Sequence, residues 1–356
     1  MRPADPSRRD LLRALTGGTV VSRLCATPLE NTKPVVSIVK IRNGNVDSAV
    51  ERAIELLGGI RSITRNKERV LLKPNLVSAQ PEATTKLEVV RTLARLMKGA
   101  GKDVSIGEGS AAAPPFNVHG NEVFRTTKKD LLNGLQDYVF NQLGYTELAR
   151  SMRLPLINFH TGDLVDVKMP DAFVFKELTI HQSLVETDLL CSVPMMKTHS
   201  LAGVTLGMKN LVGAYPGSVY QSVRGRMHDT TAKVEPSGTA AAIVDMVRAN
   251  KVGLVVIDGS SAMEGEGPMN GSIVPMETIV AGTNPLATDM VAASLMGFKP
   301  SEVPTFAWAN KAGLRPEGLE DIEIRGDPME SIRRRFVRPR ILPWSVVRTF
   351  WAPREV

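Results

Sequence analysis

The chain predicts an α/β fold, a mainly parallel, doubly wound sheet with a small antiparallel insertion, and three observations carry that prediction. Short β-branched runs alternate with segments of helical period through the first third of the chain. The strand runs are almost continuously apolar, as at residues 69–73 (RVLLK) and 188–193 (DLLCSV), which suits strands covered on both faces. Several end in a polar or glycine-rich turn, the edge at which open α/β sheets hold ligands.

Residues 35–41 alternate and are β-branched, a first strand. Asp47 can cap a helix that runs to Leu57 and stops at Gly58-Gly59. The second strand, 69–73, is ended by Pro74-Asn75. Residues 86–98 carry Leu87, Val90, Leu93, Ala94 and Met97 at helical spacing, and 103–106 form a third strand that enters Gly107-Glu108-Gly109-Ser110. Residues 110–135 read as an excursion over the sheet edge and 139–152 as a helix. Three short strands at 156–159, 164–169 and 173–180 make up the antiparallel insertion, placed near 110–185. The parallel pattern resumes with strand 188–193, a Lys-Thr-His loop and a helix around 203–213. Residues 215–236 are polar and without clear elements, as functional or unstructured loops are. A helix (237–250), a strand (252–258), a long loop (259–275), a strand (276–281), a helix (285–296) and a last strand (322–325) complete the domain. The domain thus spans 35–326, between a leader (1–30) and a basic tail (327–356).

The 356 residues, 43% hydrophobic and 23% charged, suffice for one large α/β core or two lobes. The formal charge of +7 looks like a nucleic-acid signal until it is located. Residues 34–326 hold 31 Lys/Arg and 31 Asp/Glu, so the excess base is terminal and no duplex-binding surface is expected. There are two cysteines, Cys25 and Cys191, which argues against a disulfide framework, a cysteine zinc site or a cysteine-ligated iron–sulfur cluster within the chain. No run approaches the ~20 apolar residues of a spanning helix.

Ser7-Arg8-Arg9-Asp10-Leu11-Leu12-Arg13 has the parts of a twin-arginine export signal: paired Arg, two apolar residues and a following cation. A weakly apolar stretch follows to Val21, and Ala26 is suited to precede cleavage. The expectations are passage through the twin-arginine translocase and a periplasmic or other extracytoplasmic location. The tail carries Arg333-Arg334-Arg335, Arg338 and Arg340, then Trp344, Phe350 and Trp351, a composition suited to weak contact with an anionic membrane surface. A solvated or oligomer-contacting tail is the plainer alternative.

Chemistry-bearing residues gather at the predicted strand ends. Lys73 and Asn75 close the second strand. The Gly107-Glu108-Gly109 run fits a dinucleotide fingerprint only formally, because Pro114-Pro115 stand where a helix must begin; it reads instead as a turn presenting Glu108. Lys197, Thr198 and His199, with Lys209 and Asn210 ten residues on, offer two ammonium groups, a hydroxyl, an imidazole and an amide to an anion or cofactor. Asp258, Glu264 and Asp289 are oxygen ligands suited to a divalent metal, or acid partners. Taken singly, each has a plain structural alternative: a solvated turn, a cap or a rim salt bridge.

Taken in order, Lys73-Pro-Asn75, Gly-Glu108-Gly, Pro194-x-x-Lys197-x-His199, Lys209-Asn210 with Gly213, Asp258 with Met263-Glu264-Gly-x-Gly-Pro268, and Asp289 with Met296-Gly297 resemble the domain-of-unknown-function 362 family over residues 35–300. The resemblance implies an α/β domain and, in some members, an attached ferredoxin-like module with cysteine-bound clusters. This chain has no such cysteines, so electron transfer is not carried over, and no reaction comes with the likeness. The expectation is an exported enzyme that binds a small anionic substrate or cofactor through Lys73, Asn75, Thr198, Lys209 and Asn210. His199, Glu108 and Lys197 are its candidate catalytic groups, and Asp258, Glu264 and Asp289 the candidate ligands for a divalent metal. The alternative is a non-catalytic cofactor- or metal-binding maturation protein for an exported redox partner.

Overall fold

The computed structural model describes residues 33–234 and 236–356; the expected leader lies outside them. Strand β1 (Val35–Lys40) is followed by helix Val46–Leu56, β2 (Arg69–Pro74), helix Leu87–Gly99 and β3 (Asp103–Glu108). The hairpin β4 (Val118–His119) and β5 (Glu122–Arg125) precedes helices Lys129–Gln142 and Tyr145–Met152. Next come β6 (Leu156–Asn158), β7 (Leu164–Lys168), β8 (Glu177–His181), β9 (Leu189–Val193), β10 (Met195–His199) and β11 (Gly203–Thr205). Helices Gly207–Asn210, Gly217–Tyr220, Gly225–Thr231 and Gly238–Ala249 lead to β12 (Val252–Glu264), β13 (Ser272–Val274) and β14 (Thr278–Gly282). Helix Pro285–Leu295, helix Pro304–Lys311, β15 (Glu323–Gly326) and β16 (Trp351–Glu355) close the chain.

The main sheet has the order β15-β1-β14-β12-β9-β2-β3-β6. From β12 to β6 every pairing is parallel, and β14 runs against both of its neighbours. Successive residues of β2 point to opposite faces, as the pleat requires. Val70 and Leu72 pack with helices Val46–Leu56 and Leu87–Gly99, whereas Leu71 joins the core under helices Gly238–Ala249 and Pro285–Leu295. The fold is therefore α/β with helices on both faces of a mainly parallel sheet. Lys73, Glu108 and His199 fall at or next to the carboxyl ends of β2, β3 and β10.

Several local expectations change. Pro194 interrupts the strand after β9, and the chain re-pairs as β10 with the distal half of β12, so Lys197-Thr198-His199 is strand rather than loop. β10 turns back through β11, with Gly203 at φ +78°, which leaves only the four-residue helix Gly207–Asn210 where a longer helix was expected. β12 runs on to Glu264 and pairs with β13, replacing most of the loop expected at 259–275. β6 joins the main sheet, so of the three strands expected at 156–180 only β7 and β8 pair antiparallel with each other. Residues 215–236 hold buried helical turns, since Tyr220, Met227 and His228 find apolar partners that local polarity does not reveal. The basic tail packs on the domain: Phe336 and Trp344 are buried and β16 pairs with β5.

Candidate functional site

A cavity of about 320 Å³ opens beside the ends of β2, β3 and β10, with Lys73, Glu108, His199 and Lys209 among its lining residues. Its floor is a buried ion pair. Lys73 Nζ lies 2.8 Å from Glu108 Oε1 and also donates to the Pro74 carbonyl and to Asn210 Oδ1. Glu108 further accepts from the backbone N–H groups of Leu76 and Gly109, at 3.0 and 2.8 Å, so both its oxygens are fully used. Burial draws the Lys73 ammonium down while the Glu108 carboxylate opposes it. Gly213 is required here: a Cβ at this position would stand 2.2 Å from Glu108 Oε1.

Arg224 secures the neighbouring loops. Its guanidinium donates to the carbonyls of Gly109, Ser110, Val212, Gly213 and Ser222, and it has no carboxylate partner among the described residues. A buried cation held by neutral carbonyls gives the cavity a standing positive field. His199 accepts the Leu201 N–H on Nδ1 at 3.1 Å. Burial, then the Lys209 and Lys197 charges, keep its imidazole neutral, so the ring proton sits on Nε2. His228 is also neutral, lowered to about 3 by burial and by the Lys209 and Arg224 charges.

Lys209 differs from the other two lysines at these strand ends. Its ammonium has no acceptor among the described residues, and burial together with Arg224 and Lys73 lowers it to about 7. Asn75 Oδ1, also at the cavity, is buried without a donor.

The opposite wall is the chain's own tail. Val337 exchanges backbone and carboxylate hydrogen bonds with Gly265 and Glu264, and Leu342 N–H donates to Ser200. Arg340 pairs with Glu266 at 3.0 Å. Trp344 donates Nε1–H to Asp229 at 2.7 Å and lies on the His228 ring, centroids 4.6 Å apart. Leu342, Trp344, Val347, Phe350 and Trp351 make this side of the cavity apolar.

Several expected site residues are engaged elsewhere. Lys197 donates to the carbonyls of Ala83 and Pro268, at 2.7 and 3.1 Å, and does not line the cavity. Thr198 bonds the Gly265 carbonyl at 2.8 Å, so the two residues clamp the Gly265–Pro268 turn onto β10. Asn210 spends its amide on the Lys73 carbonyl and Ser192. Nor are the three carboxylates expected at a metal gathered together. Asp258 accepts from Lys86 N–H and from Ser260, tying β12 to the start of helix Leu87–Gly99. Asp289, raised to about 7 by burial, accepts from Gly207 and Met208 N–H. Glu264 anchors the tail. Among the described residues, no three His, Cys, Asp or Glu stand close enough to hold a metal.

Arg224, His228 and the tail wall are the parts sequence reasoning missed. The four-residue separation of Arg224 and His228 offers no helical signal, because Arg224 stands before helix Gly225–Thr231 at φ +56°, in the left-handed region.

A family model described as a domain of unknown function (DUF362) matches residues 70–294. The chain belongs to the DUF362 family. The matched span holds Lys73, Glu108, His199, Lys209 and Arg224, whereas the tail wall lies beyond it. Among relatives of this DUF362 protein, the thylakoid-associated protein sll1697 of Synechocystis sp. is 26% identical over 302 residues, 84% of this chain and 85% of the relative. The apoprotein of lactate racemase from Thermoanaerobacterium thermosaccharolyticum is similar at 15% identity and a TM-score of 0.40. The likeness covers 76% of this chain and 58% of the racemase chain.

Proposed function

We propose that this DUF362 protein is an enzyme whose cavity binds a small anionic substrate or cofactor between the strand ends and the folded-back tail. The observation that carries this reading is the Lys209 ammonium, enclosed in the cavity with no acceptor of its own among the described residues. The Arg224 and Lys73 charges add to the attraction, His199 offers Nε2–H as a donor, and Asn75 Oδ1 awaits a donor from the ligand. The tail side chains would cover an apolar part of the guest.

Calorimetric titration with a panel of small carboxylates and phosphates tests this. An anion beside Lys209 favours its charged form, so near pH 8 binding should take up protons, seen as heats that depend on the buffer's ionisation enthalpy. Affinity should fall as pH rises above about 7, where the free amine predominates. In the unliganded protein, stability rises with pH from about 7 toward 10.5, because the unfolded chain keeps the proton that folded Lys209 has lost. Lys209→Met should abolish the proton uptake and weaken binding about tenfold to a hundredfold, the loss of one charge-assisted hydrogen bond. Binding unchanged in Lys209→Met would defeat the proposal; binding without turnover of any ligand would mark a carrier.

The same proposal includes export through the twin-arginine signal and contact of the tail with an anionic membrane. Val337, Ile341, Val346 and Phe350 are exposed, and Arg333, Arg334, Arg335 and Arg354 have no acid partner among the described residues. The thylakoid association in the relative's name agrees with a membrane setting. Among the described residues no helix is long and apolar enough to cross a bilayer, so contact would be peripheral. Fractionation of cells expressing the full chain checks both parts. Lysine at Arg8 and Arg9 should keep the protein in the cytoplasm, and high salt should release the exported protein from membranes. Export indifferent to Arg8 and Arg9, or no membrane-bound fraction at low salt, would remove the corresponding part.

A further inference from the structure

We infer that Lys209 is a nucleophile that forms an imine with the carbonyl group of a small oxo acid. This deepens the anion-binding reading and rests on it. Three lysines stand near the strand ends, and two are committed. Lys73 is held as an ammonium by Glu108, a carbonyl and Asn210 Oδ1. Lys197, itself outside the cavity lining, donates to the Ala83 and Pro268 carbonyls. Lys209 alone of the three reaches the cavity with its amine unengaged among the described residues.

Its surroundings favour a free amine. Glu108, the acid whose charge acts on it, is saturated by Lys73, Leu76 N–H and Gly109 N–H, so it gives Lys209 no dedicated partner. Arg224 and Lys73 instead repel a second positive charge. A lysine desolvated beside other cations is the arrangement that activates an amine toward carbonyl groups. The same cations draw in a carboxylate, which is why the substrate class is an oxo acid rather than a neutral ketone. His199, neutral with its proton on Nε2, can polarise the carbonyl oxygen as a hydrogen-bond donor.

The step balances without an oxidant. The Lys209 Nζ lone pair forms a bond to the carbonyl carbon, and a nitrogen proton passes through solvent to the oxygen, giving a carbinolamine. Loss of that hydroxyl with the remaining nitrogen proton, as water, leaves the imine.

The test uses the full chain with pyruvate as the carbonyl probe, isobutyrate as an anion lacking the ketone, and sodium cyanoborohydride as hydride donor to trap any imine. Peptide mapping by mass spectrometry should find Lys209 modified at least about tenfold faster at pH 7 than exposed lysines such as Lys98 and Lys129, because far more of it is free amine. Its rate should rise with pH up to about 7 and level off above it. Excess isobutyrate should protect Lys209. Lys209→Arg should still bind isobutyrate in calorimetry while losing the trapped adduct. If isobutyrate binds and pyruvate labels Lys209 no faster than surface lysines, the imine is overturned and the anion site stands. If neither acid binds and Lys209 is not labelled selectively, both readings fall for oxo acids.

Discussion

Replacing Glu108 with Ala should destabilise the fold by about 3–5 kcal/mol, the cost of breaking a buried ion pair from one side. Lys73 is wholly buried and Glu108 is 2% exposed, so the change leaves a buried ammonium without its counter-charge. The N–H groups of Leu76 and Gly109 lose their acceptor in the same step, adding the penalty of orphaned buried donors. Gly213→Ala attacks the same pair sterically, since its Cβ would approach Glu108 Oε1 to 2.2 Å and Lys73 Nζ to 2.7 Å. The two changes should therefore not add. In Glu108→Ala/Gly213→Ala the new methyl occupies space the carboxylate has left, and the double variant should lie well above the summed losses. Urea denaturation of the four proteins measures the cycle. Strict additivity, or a Glu108→Ala loss below about 1 kcal/mol, would show that the pair does not organise the cavity floor.

Trp344→Ala should free the tail while leaving the main sheet intact. Trp344 is 8% exposed, donates to Asp229 and lies on His228. Asp229 also pairs with Arg125 and Arg348, so this one carboxylate joins the tail to the β5 strand and to helix Gly225–Thr231. Truncating a buried Trp costs about 3–5 kcal/mol. Because Trp344 packs with Ala112, Val123, Val223 and Ala352 in a small cluster apart from the two sheet cores, the cost should appear as local opening, with β16 amide exchange faster by about a hundred- to several-thousandfold. β9 amides should keep their protection, and Trp344→Phe, which keeps a ring but loses the Asp229 bond, should fall between. Equal acceleration in β9 and β16, or none in β16, would refute a separately anchored tail. Acid should act in the same direction. His228 is lowered to about 3 from 6.5, so between those values the unfolded or detached state binds a proton that the packed state does not. The contribution of His228 to packing is complete above pH 6.5 and is lost as pH falls toward 3.

The site was legible in part, and its residues show why. Lys73, Glu108 and His199 stand at or next to strand ends, where open α/β sheets hold ligands, and Lys209 follows the glycine-rich turn after them; all four line the cavity. Lys197 and Thr198 share that position, yet their side chains clamp a turn. Nothing in their spacing reveals the Ala83, Gly265 and Pro268 carbonyls that occupy them. Asp289 reads from the sequence as a candidate metal ligand or acid partner, but the partners it has, two N–H groups 81 and 82 residues away, follow only from the docking of helix Pro285–Leu295.

The mainly parallel α/β architecture and the positions of most of its strands along the chain were set by the sequence alone, because alternation, β-branching and glycine stops are local signals. The cavity was decided by tertiary structure. Its far wall comes from a tail whose arginines and scattered aromatics look solvated until β5, Asp229 and His228 are placed beside them. The chemistry of Lys209 depends in the same way on neighbours 15 and 136 positions distant, Arg224 and Lys73, and on an acid already claimed by another lysine. A side chain's charge state and free valence belong to its surroundings, and surroundings built from distant segments exist only once the chain has folded.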